Sequence, residues 1–173
     1  MRRWFSTSLP ILLAFGFSFG VYLTEESAVG SVDSAAPSPA VENSVREFTR
    51  DVARDVTADG PIAWSKYFEN TPAFFMAVNG KMAFPSGASA MAGIPDVAKM
   101  YKHIDLTWGD DLRVDVLTPA LAGIATTYHE TLIDAADHRI EANGFFTGIA
   151  EFRDGRWQFR NAHWSQPAAT AAQ

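Results

Sequence analysis

From Leu112 to Gln166 the chain alternates apolar and polar residues with a period of two, and this restricts its fold more than any other feature. The alternation divides into four runs, Leu112–Thr118, Leu121–Asp134, Arg139–Arg153 and Arg156–Gln166, which read as a meander of strands. Asp154-Gly155 between the last two favours a two-residue hairpin turn. Such a turn fixes the pairing: Phe152 with Trp157, Ala150 with Phe159, Gly148 with Asn161 and Phe146 with His163 on an apolar face. The other face then pairs Glu151 with Gln158, Ile149 with Arg160, Thr147 with Ala162 and Phe145 with Trp164. Gly144 and Gly148 inside so long a strand predict a bend in the sheet.

The preceding half reads as helical. Ser44-Val45-Arg46-Glu47 has the form of a capping box, and Val45, Phe48, Val52 and Val56 follow as one helical stripe. Gly60-Pro61 ends that helix and starts a second, carrying Trp64, Tyr67 and Phe68. A third is expected after Ile94-Pro95-Asp96, with Val97, Tyr101, Ile104 and Trp108 as its stripe. Between the second and third, Ala73–Asn79 and Lys81–Phe84 form a hairpin around Asn79-Gly80. The expected class is α+β: a curved, mostly antiparallel sheet with three N-terminal-half helices on its concave face.

The two ends lie outside that pattern. Met1-Arg2-Arg3 followed by the uncharged run Leu9–Leu23 reads as a secretory signal over residues 1–30, with small-residue cleavage sites at Gly20 and, preferred, Gly30. An uncleaved N-terminal anchor is the other reading, and the only one that brings a membrane into play. Residues 31–43 read as a flexible linker, 44–166 as the domain and 167–173 as a disordered tail. The expected location is therefore secreted or periplasmic.

Composition removes several function classes. No cysteine is present, which excludes disulfides, thiolate metal sites and a cysteine nucleophile. Acidic residues outnumber basic ones 20 to 14, which argues against a nucleic-acid partner. The four histidines show no paired-ligand spacing, so no metal or cofactor is expected. Aromatic residues make up 13% of the chain, enough to build a core or wall a pocket from rings.

Taken in order, Trp64-x-x-Tyr67-Phe68, Gly93-Ile94, Trp108, Ala122-Gly123-Ile124-Ala125-Thr126, Gly144-Phe145-Phe146-Thr147, Asp154-Gly155-Arg156-Trp157 and Ala162-His163-Trp164-Ser165 carry a resemblance. The domain resembles the nuclear-transport-factor-2-like superfamily, in its SnoaL-like and ketosteroid-isomerase-like branch. The resemblance implies a cone that binds small molecules, or an isomerase, dehydratase or cyclase built on it. Ketosteroid isomerase uses an Asp base on the first hairpin, with a Tyr and a protonated Asp as oxyanion donors. The matching stretch here, Phe74-Phe75-Met76-Ala77-Val78, has no carboxylate, so the resemblance does not extend to that activity. Tyr128 falls where a kinase-association-type relative has a pocket arginine.

The residues themselves give three readings: a binding cone, an acid–base enzyme, or a structural or protein-interaction domain with a filled cone. Trp64, Tyr67, Phe68, Phe75, Trp108, Phe146 and Asn161 are the candidate ligand-binding residues of an aromatic pocket for an apolar or aromatic metabolite. The same rings at helical spacing also suit plain core. Candidate catalytic residues are His163, expected inward opposite Phe146, with Tyr128 and Glu130. Glu130 shares a face with Ala122, Ile124 and Thr126; strand curvature decides whether that puts it in the cone or at its rim. Phe145, Ile149 and Trp164 on the outer face form the expected homodimer surface.

Overall fold

The computed structural model describes residues 38–167. The expected signal segment, the linker up to residue 37 and the tail from residue 168 lie outside the described residues.

Helix α1 spans Pro39–Asp59 and turns Val45, Phe48, Thr49, Val52 and Val56 inward. It starts within the stretch expected to be linker. Pro39 supplies a helix-compatible φ where no amide hydrogen is needed, and Ala40, Val41 and Glu42 extend the helix from it. Ser44 is therefore an interior residue and not a cap. Its hydroxyl donates to the Val41 carbonyl at 2.8 Å and accepts from the Trp157 indole N–H at 3.0 Å. Gly60, at φ 73°, stops the helix. A 3-10 turn, Gly60–Ala63, leads into the short α2, Trp64–Tyr67.

Strands β1 (Phe75–Val78) and β2 (Lys81–Phe84) form the expected hairpin, with Asn79 and Gly80 both at positive φ as a primed turn requires. Helix α3 covers Gly87–Met100, earlier than expected. Ser86 and Ser89 cap its start reciprocally, and Pro95 lies inside it instead of opening it. The expected stripe from Val97 to Trp108 straddles two elements, because Tyr101–Trp108 is strand β3. Ile104 and Leu106 are buried in alternation along it, so the 4-3-4 spacing of the apolar residues was a coincidence of a strand following a helix.

Strands β4 (Arg113–Thr118), β5 (Leu121–Asp134), β6 (Arg139–Arg153) and β7 (Arg156–Ser165) match the expected meander to within a residue at each end. The sheet runs β2-β1-β7-β6-β5-β3, with β4 also pairing β5. Among the strand pairs of the described residues, only β1–β7 is parallel. The result is an unclosed, strongly curved α+β cone. Helix α1 packs on β3 and β4, α2 on β7, and α3 on β2 and β3. At the bend the strands leave no room for a side chain: a Cβ on Gly144 would lie 1.9 Å from the Ser165 carbonyl oxygen.

The β6–β7 register departs from expectation halfway along. Phe152 pairs Trp157, Glu151 pairs Gln158 and Ala150 pairs Phe159, as the Asp-Gly turn dictates. Then a bulge intervenes and the next pair is Ile149 with Asn161, leaving Arg160 as the extra residue. The Asn161 side-chain carbonyl accepts the Ile149 amide at 3.0 Å, which holds the bulge. One inserted residue reverses every side chain after it. Phe146 faces Trp164 rather than His163, and Thr147 faces His163 rather than Ala162. Trp164 is consequently core, only 7% exposed, and cannot join Phe145 and Ile149 on the outer face.

Candidate functional site

The even-numbered residues of β5 point into the cone. Ala122, Ile124, Thr126 and Tyr128 are buried in sequence, and Glu130 and Leu132 continue the row toward the open end. The narrow end is filled. Phe146 packs on Trp164, Trp108 and Phe159 at ring separations of 4.5, 5.1 and 5.3 Å, and Phe159 packs on Phe48 at 4.9 Å. Beyond this plug the cone is empty, leaving a cavity of about 230 Å³.

Six rings contribute to its wall: Trp64, Phe68, Phe84, Tyr101, Tyr128 and Trp164. Trp64 stacks on Phe68 at 5.1 Å and meets Trp164 edge-on at 5.2 Å, so three of the rings brace one another. Met76 and Val78 from β1, Ile94 and Val97 from α3, and Ile104 and Leu132 from the sheet close the remainder. The polar lining consists of Glu130, Gln166 and the two tyrosines, and no Lys, Arg or His is among it.

Glu130 is the electrostatic centre of this cavity. Its register partners are Leu106 on β3 and Ala142 on β6, both buried and apolar. Its carboxyl group makes no hydrogen bond or ion pair with any described residue. Burial alone pushes its pKa from the ordinary 4.5 up to about 7. Tyr128 follows from the same cause: burial, then the neighbouring Glu130 charge, raise its phenol above the usual value. A carboxyl group titrating near neutrality can give or take a proton, and can meet a ligand as an acid or as an anion.

The sequence-derived candidates separate into two groups. Trp64, Phe68, Tyr128 and Glu130 meet at the cavity. The others stand elsewhere. Tyr67 turns away, its hydroxyl donating to Asp55 at 2.8 Å. Phe75 is 41% exposed on the opposite side of β1 from Met76. Trp108 and Phe146 belong to the plug; the Trp108 indole N–H donates to the Thr49 carbonyl at 2.7 Å. Asn161 holds the bulge. His163 is on the outer side of β7, beside Thr147 of β6 and Ala77 of β1, and does not converge with Glu130. The bulge is the physical reason.

Other cavity residues escaped sequence reasoning. Leu132 was within reach, since it extends the Tyr128-x-Glu130 alternation. Tyr101 opens strand β3, and its spacing to Val97 and Ile104 imitates a helical stripe and so conceals it. Met76, Phe84, Ile94 and Val97 carry no sequence mark that separates a cavity wall from core.

No protein-family model matches the sequence, and no curated protein does. Solved structures do match. A nuclear transport factor 2-like superfamily protein from Salmonella enterica serovar Typhimurium is 13% identical, with a TM-score of 0.65 over 77% of this chain and 95% of that one. A hexachlorocyclohexane dehydrochlorinase is 14% identical, with a TM-score of 0.61 over 78% of this chain and 90% of that one. Aln2 from a Streptomyces species is 13% identical, with a TM-score of 0.59 over 75% of this chain and 92% of that one. At such identities the likeness is one of fold: the chain has the nuclear-transport-factor-2-like fold, as its sequence resemblance implied.

Proposed function

We propose that this chain is a small-molecule-binding cone whose aromatic cavity holds an apolar or aromatic ligand through its rings and through Glu130. The observation that carries the reading is the open cavity of about 230 Å³ above a filled plug. A cavity of about 150 Å³ accepts benzene, so this one suits a single ring with a short substituent, on the order of ten non-hydrogen atoms. A steroid-sized molecule is too large for it. The dehydrochlorinase with the same fold is named for hexachlorocyclohexane, a single six-membered ring, which agrees with that scale. Calorimetric titration with indole tests the reading. Binding in the micromolar to millimolar range is expected, and Val97→Phe, which pushes a ring into the cavity, should abolish it. Equal binding by a folded Val97→Phe variant would refute the assignment of the site.

A second reading, acid–base catalysis, is favoured by the carboxyl group titrating near 7 in an apolar wall. The placement of His163 removes it from that mechanism, leaving Glu130 as the proton carrier and the adjacent Tyr128 phenol as a hydrogen-bond donor. An activity that survives Glu130→Gln unchanged would exclude it.

Two further proposals concern the setting. Export follows from residues 1–30, and N-terminal sequencing of protein from its native host should find a start after Gly20 or Gly30. An intact Met1 in the cytosolic fraction would overturn it. Homodimerisation is proposed through the outer sheet face, now centred on Phe145 and Ile149 without Trp164; Phe145 is 43% exposed.

A further inference from the structure

Glu130 is an expensive residue to place where it is. An ionised carboxylate in an apolar wall costs several kcal/mol unless something pairs with it. Among the described residues Glu130 has no partner: Leu106 and Ala142 flank it on the sheet, and the cavity lining holds no cationic side chain. The carboxyl group lines the cavity, so when it is ionised an occupant is placed to supply its partner.

The same lining narrows the occupant's chemistry. An anion would meet an ionised Glu130 with no cation in the lining to offset it. A neutral ligand bearing a carbonyl needs only a donor, and the Tyr101 and Tyr128 hydroxyls already offer two. A carboxylate on the cavity wall adds what phenols cannot, a full negative charge. The surrounding rings act in the same direction, because aromatic faces attract cations and do so more strongly when water is excluded.

On the premise that the cavity is a ligand site, we infer that its occupant is an organic amine: one apolar ring with a short arm ending in an ammonium group, paired with Glu130 and flanked by the rings of Trp64, Trp164 and Tyr128. The pairing requires Glu130 ionised, so below its raised pKa the amine must displace a proton to bind. Tyr101 and Tyr128 are the other titratable groups facing the cavity. Neither α2, α3, β6 nor β7 presents a charged group to it.

The ionised fraction of a group with a pKa of about 7 changes about tenfold between pH 6 and pH 8, and apparent affinity for a ligand of the ionised form scales with that fraction. The test is calorimetry on the full-length protein with 2-phenylethylamine, 2-phenylethanol and phenylacetate at both pH values. The amine should bind about tenfold more tightly at pH 8 than at pH 6. The alcohol, which has the same shape without the charge, should bind more weakly than the amine at pH 8 and equally at both pH values, and phenylacetate should not bind at pH 8, where Glu130 is ionised. Glu130→Gln should remove the pH dependence and the preference for the amine over the alcohol. Alcohol binding as tight as the amine at pH 8, an amine affinity independent of pH, or binding of phenylacetate at pH 8 would overturn the inference and leave the cavity as a site. If neither alcohol nor amine binds, the cavity reading itself falls, and the inference with it.

Discussion

Replacing Glu130 with glutamine should stabilise the protein at alkaline pH, an unusual direction for a substitution at a functional group. A carboxyl group whose folded pKa is raised binds its proton more tightly in the native than in the unfolded state. Between the two pKa values the native state holds the proton and the unfolded state does not, so stability falls as pH rises. With the unfolded value at 4.5 and the folded value at about 7, the loss begins near pH 4.5 and is complete above about pH 7.5. It amounts to about 3 kcal/mol at most. Glutamine keeps the shape and carries no charge, so the variant should match the parent near pH 4.5 and exceed it by up to that amount at pH 8. In a domain of this size that is on the order of 10 °C in Tm. Urea denaturation at half-unit steps from pH 4.5 to 8.5 gives the comparison directly. A difference that is flat with pH, or a variant less stable than the parent at pH 8, would refute the burial argument and with it the claim that Glu130 is unpaired.

The bulge makes a paired prediction: Trp164→Ala should cost about 3–5 kcal/mol by emptying a core site, whereas His163→Ala on the outer side should cost less than about 1 kcal/mol. Chemical denaturation of the two variants checks it, and a reversed ranking would restore the register without a bulge. Asn161→Ala removes the acceptor of the Ile149 amide and should cost about 1–2 kcal/mol. Hydrogen exchange at that amide should accelerate in the variant, and unchanged protection would count against the assigned role. For the proposed dimer, light scattering should show a species of twice the chain mass at tens of micromolar that Phe145→Arg converts to monomer. A parent protein that is already monomeric would contradict it.

The parts of the fold that could be read from the sequence are those set by local chemistry. Asp154-Gly155 and Asn79-Gly80 accept positive φ and so announced their hairpins, and the first three β6–β7 pairs followed from the turn alone. The rest depended on tertiary circumstance. The bulge at Arg160 rests on one long-range contact, from Asn161 to Ile149, and nothing in the spacing of β7 announces it. Because an inserted residue flips all that follow, one missed contact carried both His163 and Trp164 to the wrong faces. Helix α3 was obscured by Pro95, which reads as a helix start and here sits within one. The Ser86-x-x-Ser89 cap and the Ile104-x-Leu106-x-Trp108 alternation were the signals that would have placed it. For the site, the β5 alternation kept Tyr128 and Glu130 on one face, but whether that face was cone or rim depended on sheet curvature. Its emptiness depended on which rings fill the narrow end, and side-chain volume does not reveal that position by position.

An open cone admits a small ring where a solid core does not, and nuclear magnetic resonance titration with 2-phenylethanol at pH 6 distinguishes the two through the indole N–H signals of the tryptophans. Saturable shifts are expected at Trp64 and Trp164, which wall the cavity, with Trp108 in the plug and Trp157 bonded to Ser44 unaffected. Uniform small shifts at these four of the five tryptophans, or none at millimolar probe, would mean that the cone is closed to the probe.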